Sequence, residues 1–316
     1  TSTLQRQTDR ERERQVVVSL IKAENKNNTI PKDVDRNYST AAMKVILLTG
    51  ATDGIGYETA KRLVQQGHNV LLHGRSMNKL HKMMATTPFS ENKDRVETYA
   101  CDLSHLKEIR DFTSAIQSNH DNVDVIINNA GVFKISDTKT VDGLDARFAV
   151  NTIAPYMITQ HLMPQLQHDS ESRSRVVNVS SAAQAPVHLA SMQAHTGRMD
   201  DSQAYAQSKL AITMWTTHLS QPGHATFPMM VSVNPASLLG SKMVKSAYGI
   251  NGKDLGIGAD IFVRAALSEE FESADGKYYN NDAGKFDSPH PDGLNSKKCA
   301  ALVDCMEGIL DRLELN

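Results

Sequence analysis

Aromatic residues make up only 5% of this 316-residue chain, and its thiols are just three, Cys101, Cys299 and Cys305. So few aromatics leave no evident stacked cage for a planar ligand. An odd number of cysteines, at spacings that fit neither a disulfide framework nor a zinc site, points to a reducing compartment, and a cytoplasmic location is expected. The twelve histidines show no metal-ligand spacing, so no metal is expected. No apolar run approaches the roughly 20 residues needed to span a bilayer. A formal net charge of -2 gives no electrostatic reason to expect nucleic acid or an anionic membrane surface as partner. What is present, 40% hydrophobic and 22% charged residues, is the composition of a globular protein with a sizeable core.

Patterning changes once, near residue 42. Residues 1–42 are polar and charge-mixed, with Arg10-Glu-Arg-Glu-Arg14 followed by the short apolar stretch Val16-Val-Val-Ser-Leu-Ile21. They read as an N-terminal extension, either a loosely packed, partly helical arm or a docking element for a partner. Its acidic residues argue against a transit peptide, and it lacks the long apolar segment of a secretory signal. From Met43 onward short apolar runs alternate with helix-period segments, the pattern of βαβ units and a parallel sheet. Strands are predicted at 44–49, 69–74, 95–101, 123–128, 175–180, 229–234 and 276–279. Runs such as Val45-Ile-Leu-Leu48 fit strands buried on both faces, and Ala60, Leu63 and Val64 form a helix stripe between them. The fold class is α/β, a single doubly wound Rossmann-type domain over 43–316.

The first strand runs into Thr49-Gly-Ala-Thr-Asp-Gly-Ile-Gly56, with a helix predicted at 57–66. Glycines at such a turn allow a tight reversal and let backbone amides approach a pyrophosphate at the positive end of the helix. The strand before and the helix after supply the context that gives the motif its meaning. Further on, Tyr205 and Lys209 stand four residues apart in a segment predicted helical over 203–220. That offset puts phenol and ammonium on one face. A phenol with a pKa of about 10 needs such a neighbour to exchange protons at neutral pH, so the two segments together point to hydride transfer.

These motifs, with Asn128-Asn129-Ala130-Gly131, Asn151 and Ser180-Ser181 between them in order, resemble the short-chain dehydrogenase/reductase family over about residues 43–280. The interval from Ser181 to Tyr205 and the helix start Tyr57-Glu-Thr-Ala60 are similar to its retinol-dehydrogenase and protochlorophyllide-reductase branch. The resemblance implies that Tyr205 exchanges the proton of a carbonyl or alcohol, that Lys209 lowers its pKa, and that Ser181 hydrogen-bonds the reacting oxygen. It implies that Asn151 holds a water linking Lys209 to solvent. Ser180 competes with Ser181 for its position, and family spacing selects Ser181. The implied cofactor-binding residues are Gly50, Thr52, Asp53, Gly54, Ile55, Gly56, Arg75, Asp102, Leu103, Asn129, Ala130, Gly131, Tyr205, Lys209 and Pro235. Asp102 has two readings, a partner of the adenine amino group or a cap on the next helix.

Cofactor choice is read at the end of the second strand. An acidic residue about twenty residues past the Gly-rich turn marks NAD, whereas this chain has Gly74 and Arg75 there, which favours NADP(H). The alternative is a solvated arginine at a helix start. Reduction is the expected direction, because cytosolic NADP pools are normally reduced. After the sixth strand the family's Pro-Gly is replaced by Pro235-Ala236. The substrate walls are expected from loops at about 182–204, with Met192 and Met199, and 238–256, whose Gly240, Gly249, Gly252 and Gly256 suggest a mobile lid. The expected activity is an NADP(H)-dependent oxidoreductase interconverting a carbonyl and an alcohol on a small or medium lipophilic substrate, with a homodimer open as its assembly. The alternative is an NADP(H)-binding sensor or interaction protein that keeps the fold.

Overall fold

Each of the inner strands turns alternate side chains to opposite faces of the sheet, and both faces are buried. Ile46 and Leu48 of β1 (Val45–Leu48) join one apolar cluster and Leu47 joins the other; Leu71, against Val70 and Leu72, does the same in β2 (Asn69–Gly74). This two-sided burial makes the strands read as continuous Val/Ile/Leu runs. The computed structural model describes residues 43–166, 173–195, 197, 199–221 and 228–315. The extension read over 1–42 lies outside them.

The remaining strands are β3 (Val96–Ala100), β4 (Val125–Asn128), β5 (Arg175–Val179), β6 (Met229–Asn234), β7 (Tyr278–Asn280) and β8 (Lys285–Asp287). They form one sheet in the order β3-β2-β1-β4-β5-β6-β7-β8, parallel throughout except for the β7–β8 pair. The order reverses between β1 and β4, so a crevice opens beyond their carboxyl ends, where open α/β sheets bind ligands.

One face is covered by α1 (Gly54–Gln65) and α2 (Met77–Met84), the other by α3 (Leu106–Asn119). α4 runs as α-helix over Ala146–Phe148, widens to a π turn over Ala149–Ile153, and resumes over Ala154–His161. There follow the short α5 (Leu189–Gln193), α6 (Asp201–Leu219), α7 (Lys242–Tyr248), α8 (Leu255–Leu267) and α9 (Ser296–Arg312). α4, α6 and α9 share the cluster of α3, and α8 packs with α1 on the opposite face.

Three differences from the sequence reading have local causes. α1 starts at Gly54 rather than at 57 because Asp53 caps it, its carboxylate accepting the Gly54 N–H. α6 starts at Asp201 because the Asp200 carboxylate accepts from the amides of Ser202 and Gln203. The sheet gains β8, an edge strand of three residues that returns antiparallel to β7. No helix among the described residues is long and apolar enough to cross a membrane.

Candidate active site

The Gly-rich turn is built by contacts that exclude side chains. Gly50 has a φ of 68° and Gly54 one of 56°, both left-handed. A Cβ on Gly50 would stand 2.8 Å from Ala130 Cα, and one on Gly56 would stand 2.2 Å from Gly50 O, so the third glycine lets α1 close onto the turn. The Thr49 hydroxyl accepts the amides of Asn129 and Ala130, both at 3.0 Å, and the Asn129 side chain donates to Thr49 O at 2.9 Å and Gly50 O at 3.1 Å. The two loops flanking the topological switch are thereby stitched together. The N–H groups of Ile55 and Gly56 find no hydrogen-bond partner among the described residues, so the first turn of α1 retains donors suited to an anion. Gly50 and Gly56 thus let the turn close on itself and on the β4 loop, Gly54 supplies a left-handed φ, and the resulting cradle of backbone with unpaired amides fits a pyrophosphate.

The carboxyl end of β2 carries the residues read for cofactor choice. Arg75 is exposed. Gly74 is constrained differently from the sequence reading, because a Cβ there would meet Thr52 Cγ2 at 2.6 Å. Burial alone would raise the Asp102 carboxyl, but hydrogen bonds from the Ser104 amide and hydroxyl, with the charge of Arg75, hold it below the usual carboxylate range. Asp102 does not cap the next helix: the Asp142 carboxylate accepts the Leu106 N–H at 3.0 Å, so the capping alternative is set aside. Leu103 is buried in the core.

At the ends of β4 and β5 the structure brings Gly131, Asn151, Ser181, Tyr205 and Lys209 together. Lys209, on α6, is 3% exposed; its Nζ donates to Val179 O at 2.6 Å and lies 3.6 Å from the position of a Cβ on Gly131. Burial pushes this ammonium down to about 7. Tyr205, one turn earlier, is half-buried, and burial pushes its phenol up to about 12; a hydrogen bond with Ser181 acts the other way and Tyr248 adds to the rise. The expected lowering of Tyr205 by Lys209 is therefore not seen: Nζ lies over the ring, 5.7 Å from its centroid, engaged with the Val179 carbonyl. The Ser180 hydroxyl is buried and donates to Lys209 O at 2.9 Å, which leaves Ser181 as the serine beside Tyr205.

Asn151 sits in the π turn of α4 and is fully buried. Its Oδ1 accepts the Val132 N–H at 2.8 Å, and its Nδ2 donates to Val132 O and Ser208 Oγ, both at 2.9 Å. The side chain reads as a clamp between the 131–132 segment and α6, with all of these bonds made inside the protein.

Ala236, where the family pattern has glycine, holds a φ of 110°. Its loop is gripped by Asp282 from the β7–β8 connection, which accepts from Ser237 N at 2.8 Å, Ser237 Oγ at 2.6 Å and Asn234 Nδ2 at 2.9 Å. Pro235 is buried, and its carbonyl accepts from Asn281.

The substrate side departs from the sequence reading in two ways. Met192 is fully buried in the core and is no pocket wall, and Met199 packs against the same cluster. Two of the glycines read as lid hinges serve packing instead, since a Cβ on Gly252 would meet Gly240 N and Cα at 2.6 Å, while Gly249, with open space around it, ends α7 in the left-handed conformation. The 238–253 segment is closed by hydrogen bonds from Gly240 N to Lys253 O and from Lys253 N to Leu238 O.

Two features escaped the sequence reading. Phe133 packs on Tyr205 with ring centroids 4.7 Å apart and reaches Tyr248 of α7 at 6.1 Å, forming an aromatic wall beside the phenol. His73, within the apolar run of β2, is buried, and its ring touches the Gly-rich turn through Gly50 N. A polar residue amid Val70, Leu71 and Leu72 was the available signal, since a buried polar group requires partners.

A profile of short chain dehydrogenases matches residues 44–248. The chain is 30% identical to human polyprenol dehydrogenase over 297 residues, 85% of this chain and 86% of that protein. It is 28% identical to mouse (Mus musculus) retinol dehydrogenase 13 over 267 residues, 79% of each. The NADPH-bound carbonyl reductase from chicken fatty liver superposes with a TM-score of 0.61, covering 78% of this chain and 99% of that one; at 17% identity it shows the shared fold.

Proposed function

The chain belongs to the short chain dehydrogenase family, oxidoreductases that bind a nicotinamide cofactor, and from that premise we propose that it interconverts a carbonyl and an alcohol on a lipophilic substrate using NADP(H), with Tyr205 as general acid and base. The observation that carries the reading is the convergence of Ser181, Tyr205 and Lys209 at the carboxyl ends of the strands, on the sheet edge that also bears the Gly50–Gly54–Gly56 cradle. A bound nicotinamide would supply or accept the hydride; everything else is the work of the chain's own side chains and backbone amides.

The cradle and the free amides of Ile55 and Gly56 bind the pyrophosphate. Arg75, exposed at the end of β2 with glycine before it, pairs with a 2′-phosphate. Tyr205, its phenol neutral up to about 12, donates its proton to the carbonyl oxygen in reduction and takes it back in oxidation. Ser181 stabilises the charge developing on that oxygen. Lys209 holds a positive charge under the Tyr205 ring whenever it is protonated, and Asn151 keeps the 131–132 segment against α6 so that the groups stay in register.

Phe133 and Tyr248 give the reacting end an apolar wall, which supports a lipophilic substrate. The names of the two relatives specify retinol and polyprenol, both apolar alcohols, which supports the same class. The test is turnover: NADPH oxidation with a panel of apolar aldehydes and ketones, and NADP⁺ reduction with the corresponding alcohols. Cofactor binding with no turnover of any member would favour a sensor that keeps the fold.

A further inference from the structure

We propose that His73 is a positioning residue for the cofactor turn: its Nδ1 holds the Gly50 amide and so fixes the conformation on which the phosphate-facing amides of α1 depend. The proposal rests on the functional reading above and adds to it a residue on a neighbouring strand.

The ring makes two bonds. The Gly50 N–H donates to Nδ1 at 3.2 Å, and Nε2 lies 3.0 Å from Cys101 O. Since an N–H can only be met by a lone pair, Nδ1 is unprotonated, the ring proton is on Nε2, and Nε2 donates to the Cys101 carbonyl. One tautomer satisfies both contacts. The main chain of the same residue adds a third, because the Ala51 N–H donates to His73 O at 2.9 Å. Two successive amides at the start of the turn are thus held by a single residue of β2.

Burial keeps this arrangement in one state. His73 is 1% exposed, with the Phe112 ring 5.1 Å away, and burial pushes the imidazole down to about 4 against the opposing pull of the Cys101 carbonyl and the Asp102 charge. The Nδ1 lone pair is therefore available at neutral pH. Gly50 is meanwhile fixed from the other side, since Asn129 of the loop after β4 donates to its carbonyl. With its N–H tied to β2 and its C=O to the β4 loop, Gly50 has little freedom to leave a φ of 68°. An apolar residue at 73 would leave the partly buried Gly50 amide and the buried Cys101 carbonyl without these partners. The role is one of geometry: the ring's hydrogen bonds go to Gly50 and Cys101, not to Ser181, Tyr205 or Lys209.

Two substitutions separate the two ends of the ring. Asn places its Oδ1 near the position of Nδ1, so His73→Asn keeps an acceptor for Gly50 and loses Cys101; Gln reaches the position of Nε2, so His73→Gln keeps Cys101 and loses Gly50. For the 316-residue chain, dissociation constants for NADPH are measured by fluorescence titration, and exchange of the Gly50 amide in the cofactor-free protein is measured by NMR. His73→Asn should bind NADPH within about threefold of wild type, and His73→Gln should bind roughly tenfold or more weakly, with kcat at saturating cofactor close to wild type in both. The Gly50 amide should be protected in wild type and His73→Asn and exchange fast in His73→Gln. Equal weakening in both variants, or a protected Gly50 amide in His73→Gln, would overturn the proposal. Wild type binding neither NADPH nor NADH would instead bring down the functional reading, and Gly50 exchange would still decide whether His73 holds the turn.

Discussion

Lys209 lies beneath Tyr205 rather than against its hydroxyl: Nζ stands 5.7 Å from the ring centroid while donating to Val179 O at 2.6 Å. Burial lowers its affinity for a proton, and among the described residues no carboxylate acts against it. The site therefore holds a cation that the free protein tolerates poorly and a phenol that burial keeps neutral.

That strain on Lys209 has a signature in stability. Its pKa falls from 10.5 to about 7 on folding, so between those values the unfolded chain binds a proton that the folded chain does not. Stability then rises with pH over that window. Tyr205, raised from 10.0 to about 12, acts with the opposite sign at higher pH, because the unfolded phenol ionises first. In cofactor-free protein, Lys209→Met should flatten the rise in Tm between about pH 7 and 10. An unchanged slope would mean that the ammonium is solvated in the folded state.

Ala236 predicts a stabilising substitution. At a φ of 110° an alanine is strained by about 1–3 kcal/mol, while glycine adds about 0.5–1 kcal/mol of chain entropy to the cost of folding. Ala236→Gly should therefore stabilise by about 0.5–2 kcal/mol and raise Tm by a few degrees in calorimetry. A lower Tm would show that the Asp282 contacts relax the backbone there.

Cofactor preference follows from Arg75 and Gly74. Arg75→Ala should weaken NADPH roughly ten- to a hundredfold with little effect on NADH. Gly74→Asp should move preference toward NADH by repelling the 2′-phosphate, but its Cβ would collide with Thr52 Cγ2, so the shift should be larger when Thr52→Ser removes that methyl. The comparison is kcat/KM for both cofactors at low salt. A wild type that prefers NADH would refute the reading of Arg75.

The parts of this molecule legible in the sequence are those where one local demand selects residue types. Two-sided burial writes β1 as Val45-Ile-Leu-Leu48, and left-handed turns write Gly50 and Gly54. β8 was not legible because three edge residues, exposed Lys285 and Asp287 around half-buried Phe286, carry too short an alternation to register. α9 lies beyond the motif-bearing span, although Asn295 caps it and Leu302, Met306 and Ile309 form its buried stripe. The contact of His73 with Gly50 depends on the β1–β2 register, which pairs Leu48 with Leu72 and sets His73 beside the turn; no local pattern encodes it. The glycines of 238–256 looked like hinges because close packing and freedom of φ select the same residue, and only the contact of Gly252 with Gly240 tells them apart.

The most direct measurement is the chemical step itself in Tyr205→Phe. Phenylalanine keeps the ring between Phe133 and Lys209 and removes only the hydroxyl that meets Ser181. With NADPH and a carbonyl substrate found for the wild type, kcat should fall by on the order of 10²–10⁴ while the NADPH dissociation constant stays near wild type. An enzyme that kept more than about a tenth of its kcat would contradict the account, because the proton would then be coming from another group.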